Sequence, residues 1–129
     1  MPFTIHEELD GRAVVITYSM PHTAADIAES FPHILAYRDD HLVKYLIANS
    51  SAITEYAFNE MVEAMAMVRG TGPGTLNDPQ MPVVMVATHS MIRLSAEAAG
   101  QAQYSGKQTP IFATMDEARD YVKSKLGVA

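Results

Sequence analysis

Three short apolar runs most constrain what this chain can fold into. They are the segments 12–18 (RAVVITY), 42–48 (LVKYLIA) and 82–88 (PVVMVAT). Each has the length of a β-strand, and the last is apolar throughout, as is typical of a strand covered on both faces. Longer segments with helical spacing of apolar residues separate the runs. This alternation predicts parallel strands joined by right-handed crossovers, with helices packed on the sheet.

An N-terminal hairpin is predicted before the first crossover. Residues 3–9 (FTIHEEL) alternate between apolar and polar side chains, which predicts a first strand less buried than the one at 12–18. The apolar side of this first strand is expected to carry Phe3, Ile5 and Leu9. Between the two strands, Asp10-Gly11 tolerates the positive φ angles of a two-residue type I′ turn.

The first predicted helix contains a proline. Thr23 is a suitable N-cap, and Asp26 follows three residues later, near the positive end of the helix dipole. Helical phase continues across Pro32 through the apolar residues Ile27, Ala28, Phe31, Ile34 and Leu35. Because proline lacks an N–H and clashes with the preceding turn, we expect either a kink at Phe31-Pro32 or two short helices that share one buried face.

A second, longer helix is predicted after the strand at 42–48. Thr54 is its expected N-cap, and Arg69 followed by Gly70 suits its C-terminus. One apolar stripe runs along it, formed by Phe58, Met61, Val62, Met65 and Val68. The stripe is expected to be buried against the rest of the protein.

Two further helices and a short strand complete the predicted elements. An alanine-rich segment at about 90–103 is the third helix, and 109–113 (TPIFA) is a strand that has Pro110 at its edge or its start. Thr114 and Glu117 then form a capping box for the last helix. The whole order predicts one α/β domain over residues 1–129, with a hairpin, alternating βα units, a mixed sheet of about five strands and four or five helices.

The composition of the chain indicates which kinds of binding partner and which cellular location to expect. The net charge is −6, and no two of the nine basic residues are adjacent, which argues against binding to nucleic acid. Cysteine is absent, and the longest apolar stretches fall short of the roughly 20 residues that span a bilayer. The N-terminus has no signal-peptide pattern. These features predict a cytoplasmic protein without a membrane span.

Sequence motifs for catalysis or cofactor binding are weak. The glycine-rich segment 70–74 follows a predicted helix and not a strand, and no Lys-Ser/Thr pair comes after it, which favours a loop over a phosphate site. No two histidines have the i, i+4 spacing of a helical metal site, their positions being 6, 22, 33, 41 and 89. The sequence therefore predicts no catalytic residue, no metal site and no cofactor.

Polar side chains follow two neighbouring strands at the point where each strand ends. Asn49, Ser51 and Thr54 follow the strand at 42–48, and His89 and Arg93 follow the strand at 82–88. Open α/β sheets bind ligands along the carboxyl edge of their parallel strands, so these five residues are the candidate binding residues. The same types of residue also form turns and helix caps, and for Ser51 and Thr54 that interpretation is favoured.

The C-terminal part of the chain resembles a known family. The segment 82–122 is similar to the second half of the SpoIIAA-like group of STAS domains, the anti-sigma-factor-antagonist fold. In that group a buried strand, a helix of small residues and a short strand lead into an F-x-T-x-x-E-A motif. Phe112, Thr114, Glu117 and Ala118 match this motif. The order of elements resembles the same family over nearly the whole chain.

The resemblance implies a noncatalytic regulatory or protein-interaction module of a bacterial type. Its phosphorylated members carry an Asp-Ser pair where the second long helix begins, whereas this chain has Glu55-Tyr56 there and so lacks the phosphoacceptor serine. We therefore expect a module that binds a protein partner or forms a homodimer. The alternative is a small-molecule or lipid-binding protein, or a weak enzyme, that uses the crevice at the carboxyl ends of the parallel strands.

Overall fold

A mixed sheet organises the molecule. The computed structural model describes residues 3–20, 23–38, 43–55, 57–67, 82–90, 92–93 and 110–127. Its strands are β1 (Phe3–Glu8), β2 (Ala13–Tyr18), β3 (Tyr45–Asn49), β4 (Val83–Val86) and β5 (Ile111–Phe112). Its helices are α1 (Ala24–Arg38), α2 (Phe58–Met67) and α3 (Met115–Leu126).

The five strands lie in the sheet in chain order, β1-β2-β3-β4-β5. β1 is antiparallel to β2, and each later strand is parallel to the one before it. The predicted α/β class and the mixed five-stranded sheet are therefore confirmed. The described residues contain three helices where four or five were predicted.

Two of the predicted segments fall mainly outside the described residues. They are the loop at 71–80 and most of the helix predicted at about 90–103. At the start of the latter, the Arg93 N–H donates to the His89 carbonyl at 3.1 Å, which is the i→i+4 bond of a first helical turn.

The hairpin turn differs from its prediction. Residues 9–12 connect the strands, and the Gly11 N–H donates to the Glu8 carbonyl at 3.2 Å. Positive φ angles begin already at Leu9 (54°) and continue through Asp10 (58°) and Gly11 (83°). The positive φ angles predicted at Asp10 and Gly11 are confirmed, and the Arg12 N–H donates to the Leu9 carbonyl at 3.2 Å. The connection is longer than the two residues predicted, because Leu9 also has a positive φ and lies outside the strand. Because Leu9 leaves the strand alternation, it packs on the opposite side of the sheet from Phe3 and Ile5.

Both faces of the sheet are covered by apolar layers. The layer on one face, called here the α1 layer, contains the buried residues Phe3, Val14, Ile16, Tyr18, Ile27, Ile34, Val43, Leu46, Ala48, Ile53, Val83, Ala87 and Ile92. The layer on the other face, called the α3 layer, contains Ala13, Val15, Ile47, Val84, Val86, Ala118 and Val122. Successive residues of β2, β3 and β4 alternate between the two layers, which explains why these strands are continuous apolar runs.

α1 begins as predicted and runs through its proline. The Asp26 N–H donates to Thr23 Oγ1 at 3.2 Å, so Thr23 is the N-cap. The helix is continuous from Ala24 to Arg38 with Pro32 inside it, and the alternative of two short helices is wrong. Ile27 and Ile34 are both buried against the sheet, so the residues before and after Pro32 present the same apolar face of the helix.

A buried hydrogen bond between the hydroxyls of Tyr18 and Ser30 joins β2 to α1. Ser30 Oγ donates to the Ile27 carbonyl at 2.6 Å and lies 3.0 Å from the Tyr18 hydroxyl. Because a hydroxyl has one proton and the Ser30 proton goes to Ile27, the Tyr18 O–H donates to Ser30. Both residues are 2% exposed or less, so this bond forms inside the α1 layer.

α2 departs furthest from its prediction. It begins at Phe58, four residues after the expected N-cap Thr54, which is exposed. The side chains of Phe58 and Val62 are 67% and 48% exposed, so their predicted place on a buried stripe is wrong. The side chains of Met61 and Met65, and Val68 as a whole, lie outside the described part of the structure. α2 nevertheless packs beside α1.

The short last strand leads directly into α3. Thr114 is the N-cap, and its Oγ1 accepts from the Glu117 N–H at 3.2 Å. The same hydroxyl donates to Glu117 Oε1 at 3.1 Å, so the carboxylate bonds the hydroxyl and not the free backbone N–H expected for a capping box. At the other end, Gly127 has a φ of 73°, and its N–H donates to the Lys123 carbonyl.

Candidate functional site

The carboxyl ends of the parallel strands meet at one edge of the sheet. Asn49 ends β3 and is in register with Thr17 on one side and Val86 on the other. Val86 is in turn in register with Phe112 of β5. Residues that directly follow β3 and β4 are therefore neighbours at this edge, as the sequence predicted.

Asn49 and Ser51 contact each other. Asn49 Oδ1 accepts from the Ser51 N–H at 3.1 Å and from Ser51 Oγ at 2.7 Å. This is the side-chain turn that the types of residue favoured. The Ser51 hydroxyl donates to an amide oxygen, which does not activate it as a base would activate a nucleophile.

Backbone bonds hold the turn between these two residues against β4. Ser50 is 3% exposed, and its N–H donates to the Val86 carbonyl at 2.7 Å. The Ile53 N–H then donates to the Ser50 carbonyl at 3.1 Å, and the Ile53 side chain is fully buried. The turn is thus an anchored continuation of the sheet, and the chain leaves the core only after Ile53.

Arg93 is attached to the end of β4 from the following helical turn. Its Nη1 donates to the Ala87 carbonyl at 3.0 Å, and its N–H bonds the His89 carbonyl. Arg93 and His89 are both half-buried. Both of these contacts of Arg93 are to backbone carbonyls, so they fix the chain as it leaves β4.

The predicted binding residues do not all come together. Asn49 and Ser51 form one pair, and Arg93 and His89 belong to the neighbouring turn at the same edge. Thr54 is exposed beyond the buried Ile53, and it caps no helix. The role of these residues in ligand binding stays a prediction.

A charged cluster that the sequence analysis missed lies on the α3 side of the sheet. Arg119 Nε donates to Glu8 Oε1 at 2.8 Å, and Arg119 Nη2 donates to Glu8 Oε2 at 3.0 Å. His6 Nε2 lies 2.8 Å from Glu8 Oε2, and Arg119 Nη1 lies 3.4 Å from Asp116 Oδ1. No local sequence pattern predicts this ion pair, because Glu8 and Arg119 are far apart in the chain.

The cluster keeps the Glu8 carboxylate charged. Its hydrogen bond with Arg119 lowers the pKa of Glu8, burial opposes this, and the bond with His6 lowers the pKa further. The hydrogen bond with Glu8 raises the pKa of Arg119. A carboxylate held ionised by a bidentate guanidinium is a poor proton donor, so the cluster joins β1 to α3 and does not suit acid–base catalysis.

The exposed side of α2 is the second feature that sequence reasoning did not predict. Phe58 and Val62 are four residues apart and therefore lie one above the other on the same face of the helix. Both expose about half or more of their surface. The spacing of the apolar residues predicts that Phe58 and Val62 share one face of the helix, but it does not predict that this face is exposed to solvent.

Comparisons of the chain with known protein families, with curated proteins and with solved structures found no match. Among the described residues, no three His, Asp or Glu side chains are grouped so that they could hold a metal ion. No helix in the described ranges combines the length and the apolar character needed to cross a bilayer.

Proposed function

We propose that this chain is a noncatalytic, STAS-like regulatory module that acts by binding another protein. One observation carries the proposal, namely the exposure of Phe58 and Val62 on one face of α2. We call this surface, together with the neighbouring Glu55 and Glu63, the α2 face. Large apolar side chains exposed side by side on a helix are typical of interaction surfaces.

The contrast with the rest of the molecule supports this assignment. Of the large apolar side chains that the structure describes, only Met20, Phe58 and Val62 are exposed. The central strands of the sheet are fully covered on both faces, with Leu46, Ile47 and Val84 at most 1% exposed. Apart from Met20, the exposure of large apolar side chains in the described residues is therefore confined to α2, and it is not a sign of a poorly formed core.

The position of α2 in the chain also supports a regulatory module. The resemblance to STAS domains places the control segment of that family at the start of the second long helix, which here is the region around Glu55 and Phe58. Because Glu55-Tyr56 replaces the phosphoacceptor pair, we propose that binding at this surface does not depend on phosphorylation of that position.

The proposal is tested by capture and reconstitution with three forms of the full chain. They are the wild type, the double variant Phe58→Ser/Val62→Ser, and the control Asn59→Ser, which changes an exposed polar residue of the same helix. A protein captured from a lysate is purified, and its affinity for each form is measured. We expect the double variant to bind at least about tenfold more weakly and the control to match the wild type.

Urea unfolding of the same proteins separates surface effects from folding effects. Because Phe58 and Val62 are largely exposed, their replacement by serine should change the free energy of unfolding by less than about 1 kcal/mol. A double variant that unfolds much more easily would show that these residues are core residues. A captured protein that binds the folded double variant as tightly as the wild type would contradict the proposal.

The alternative is a small-molecule or lipid-binding protein that uses the carboxyl edge near Asn49, Ser51, His89 and Arg93. Thermal-shift measurements against a panel of metabolites and lipids test it. A ligand that stabilises the wild type but not Arg93→Gln would support the alternative, and no stabilisation across the panel would count against it.

A further inference from the structure

The acidic residues around Phe58 and Val62 indicate the chemistry of the partner. Glu63 follows Val62 directly, about 100° further round the helix, and so lies on the row of side chains adjoining the row of Phe58 and Val62. Glu55 lies just before the helix begins. Both glutamates are exposed, and within the described residues neither takes part in an ion pair.

The charged residues in the chain segment that contains the described part of α2 are all acidic. Between Lys44 and Arg69 the chain has three glutamates and no lysine or arginine. The whole chain carries a net charge of −6. The α2 face is thus an apolar row bordered by negative charge, and any protein that covers it brings its own groups close to these carboxylates.

A second copy of this chain fits the surface poorly. In a two-fold symmetric dimer the α2 face of one copy contacts the α2 face of the other, so the interface contains Glu55 and Glu63 from both copies. Like charges brought together at an interface weaken association. Self-association through the α2 face is therefore disfavoured by the charge of the surface itself.

We propose that the α2 face binds a basic amphipathic segment of another protein, one that carries apolar side chains flanked by lysine or arginine. The inference rests on the proposed protein-binding function and adds the chemistry of the partner. Apolar residues of the segment cover Phe58 and Val62, and its cationic groups pair with Glu55 and Glu63. The charged contacts at the rim speed encounter and make the binding sensitive to salt.

The probe is a fluorescein-labelled amphipathic peptide of about 15 residues made of leucine and lysine. A second peptide has every lysine replaced by glutamate. Binding to the full chain is followed by fluorescence anisotropy at low and at physiological ionic strength. We expect the leucine–lysine peptide to bind, more weakly at the higher salt, and the leucine–glutamate peptide not to bind.

Two pairs of neutralising substitutions separate local charge from net charge. Glu55→Gln/Glu63→Gln removes the charges of the α2 face, and Glu7→Gln/Asp120→Asn removes two exposed charges elsewhere. The first pair should weaken binding of the leucine–lysine peptide about fivefold, and the second should leave it within about twofold of the wild type. Phe58→Ser/Val62→Ser should weaken it about tenfold.

Three results would overturn the inference. They are failure of the wild type to bind the leucine–lysine peptide, equal weakening by the two pairs of charge substitutions, and equal binding of both peptides. If the captured partner still requires Phe58 and Val62 while Glu55→Gln/Glu63→Gln has no effect on it, the protein-binding function stands and the basic partner is wrong. A dimer that dissociates on Phe58→Ser/Val62→Ser would identify a second copy as the occupant instead.

Discussion

At the scale of single residues, Glu8 makes a bidentate charged contact with Arg119. Its two carboxylate oxygens accept from Nε and Nη2 of Arg119 in the bidentate arrangement that guanidinium and carboxylate groups favour. The Glu8 side chain is 18% exposed and that of Arg119 35% exposed. The pair is therefore shielded enough to contribute to stability but remains partly screened by water.

Replacing Glu8 with glutamine should lower the free energy of unfolding by about 1 kcal/mol near neutral pH. Because the folded state lowers the pKa of Glu8, the contribution is present above the ordinary glutamate pKa of about 4.3 and is lost as the pH falls through the lowered value. The difference between wild type and Glu8→Gln in urea unfolding should therefore shrink on acidification.

Glu7→Gln is the matched control, because Glu7 is exposed on the same strand. It should leave stability near neutral pH almost unchanged. A difference between wild type and Glu8→Gln that grew on acidification would contradict the assigned direction of the Glu8 pKa shift.

At the same scale, the sequence predicts residues whose partners are close in the chain and misses those whose partners are distant. The bonds of Asn49 with Ser51 and of Thr23 with Asp26 link residues two or three positions apart, so residue type alone indicated them. The pairing of Glu8 with Arg119 depends on α3 crossing the sheet toward β1. The conformational preferences of Glu8 and Arg119 do not indicate how α3 is placed relative to β1.

At the scale of elements, three threonines were predicted as N-caps. The prediction is confirmed for Thr23 and Thr114 and is wrong for Thr54. Thr23 and Thr114 each have a carboxylate residue three positions later, Asp26 and Glu117. Thr54 has Ala57 at that position, and its helix begins only at Phe58. A threonine supported by an acidic residue in the first turn is a stronger signal than a threonine alone, because the acidic residue favours the positive end of the helix.

The cap of α3 should be needed for full stability. Thr114→Ala removes the acceptor for the Glu117 N–H and should lower the free energy of unfolding by about 1 kcal/mol. Thr114→Ser keeps a hydroxyl at the N-cap and should retain most of the stability. Urea unfolding followed by circular dichroism measures both variants, and equal stability of Thr114→Ala and wild type would show that the cap does not contribute.

The failure at α2 has a related cause. Helical spacing places Phe58 and Val62 on one face but says nothing about what lies opposite that face. For α1 the opposite surface is the sheet, and Ile27 and Ile34 are 5% and 1% exposed. The spacing of apolar residues therefore predicts the helix, whereas its burial depends on the assembled fold.

At the scale of the whole molecule, the two apolar layers share the same strands. Leu46 and Ile47 are successive residues of β3, both fully buried, with Leu46 in the α1 layer and Ile47 in the α3 layer. Hydrogen bonds join β3 to β2 and β4, so neither layer is separable from the backbone that carries the other. The architecture therefore predicts a single cooperative unit despite two distinct cores.

Leu46→Ala and Ile47→Ala test this coupling from opposite sides of one strand. Each removes a buried side chain and should lower the free energy of unfolding by about 2–5 kcal/mol. The exposed neighbour Lys44→Ala is the control and should have little effect. In urea followed by nuclear magnetic resonance, the signals of Tyr18 in the α1 layer and of Tyr121 against the α3 layer should disappear together.

If the layers were independent, Leu46→Ala would lower the urea midpoint of Tyr18 alone, and Ile47→Ala that of Tyr121 alone. Coincident midpoints in both variants require that loss of either layer exposes the other. That result would follow from the strand alternation in the sequence, because each apolar run of β2, β3 and β4 supplies side chains to both layers at every second position.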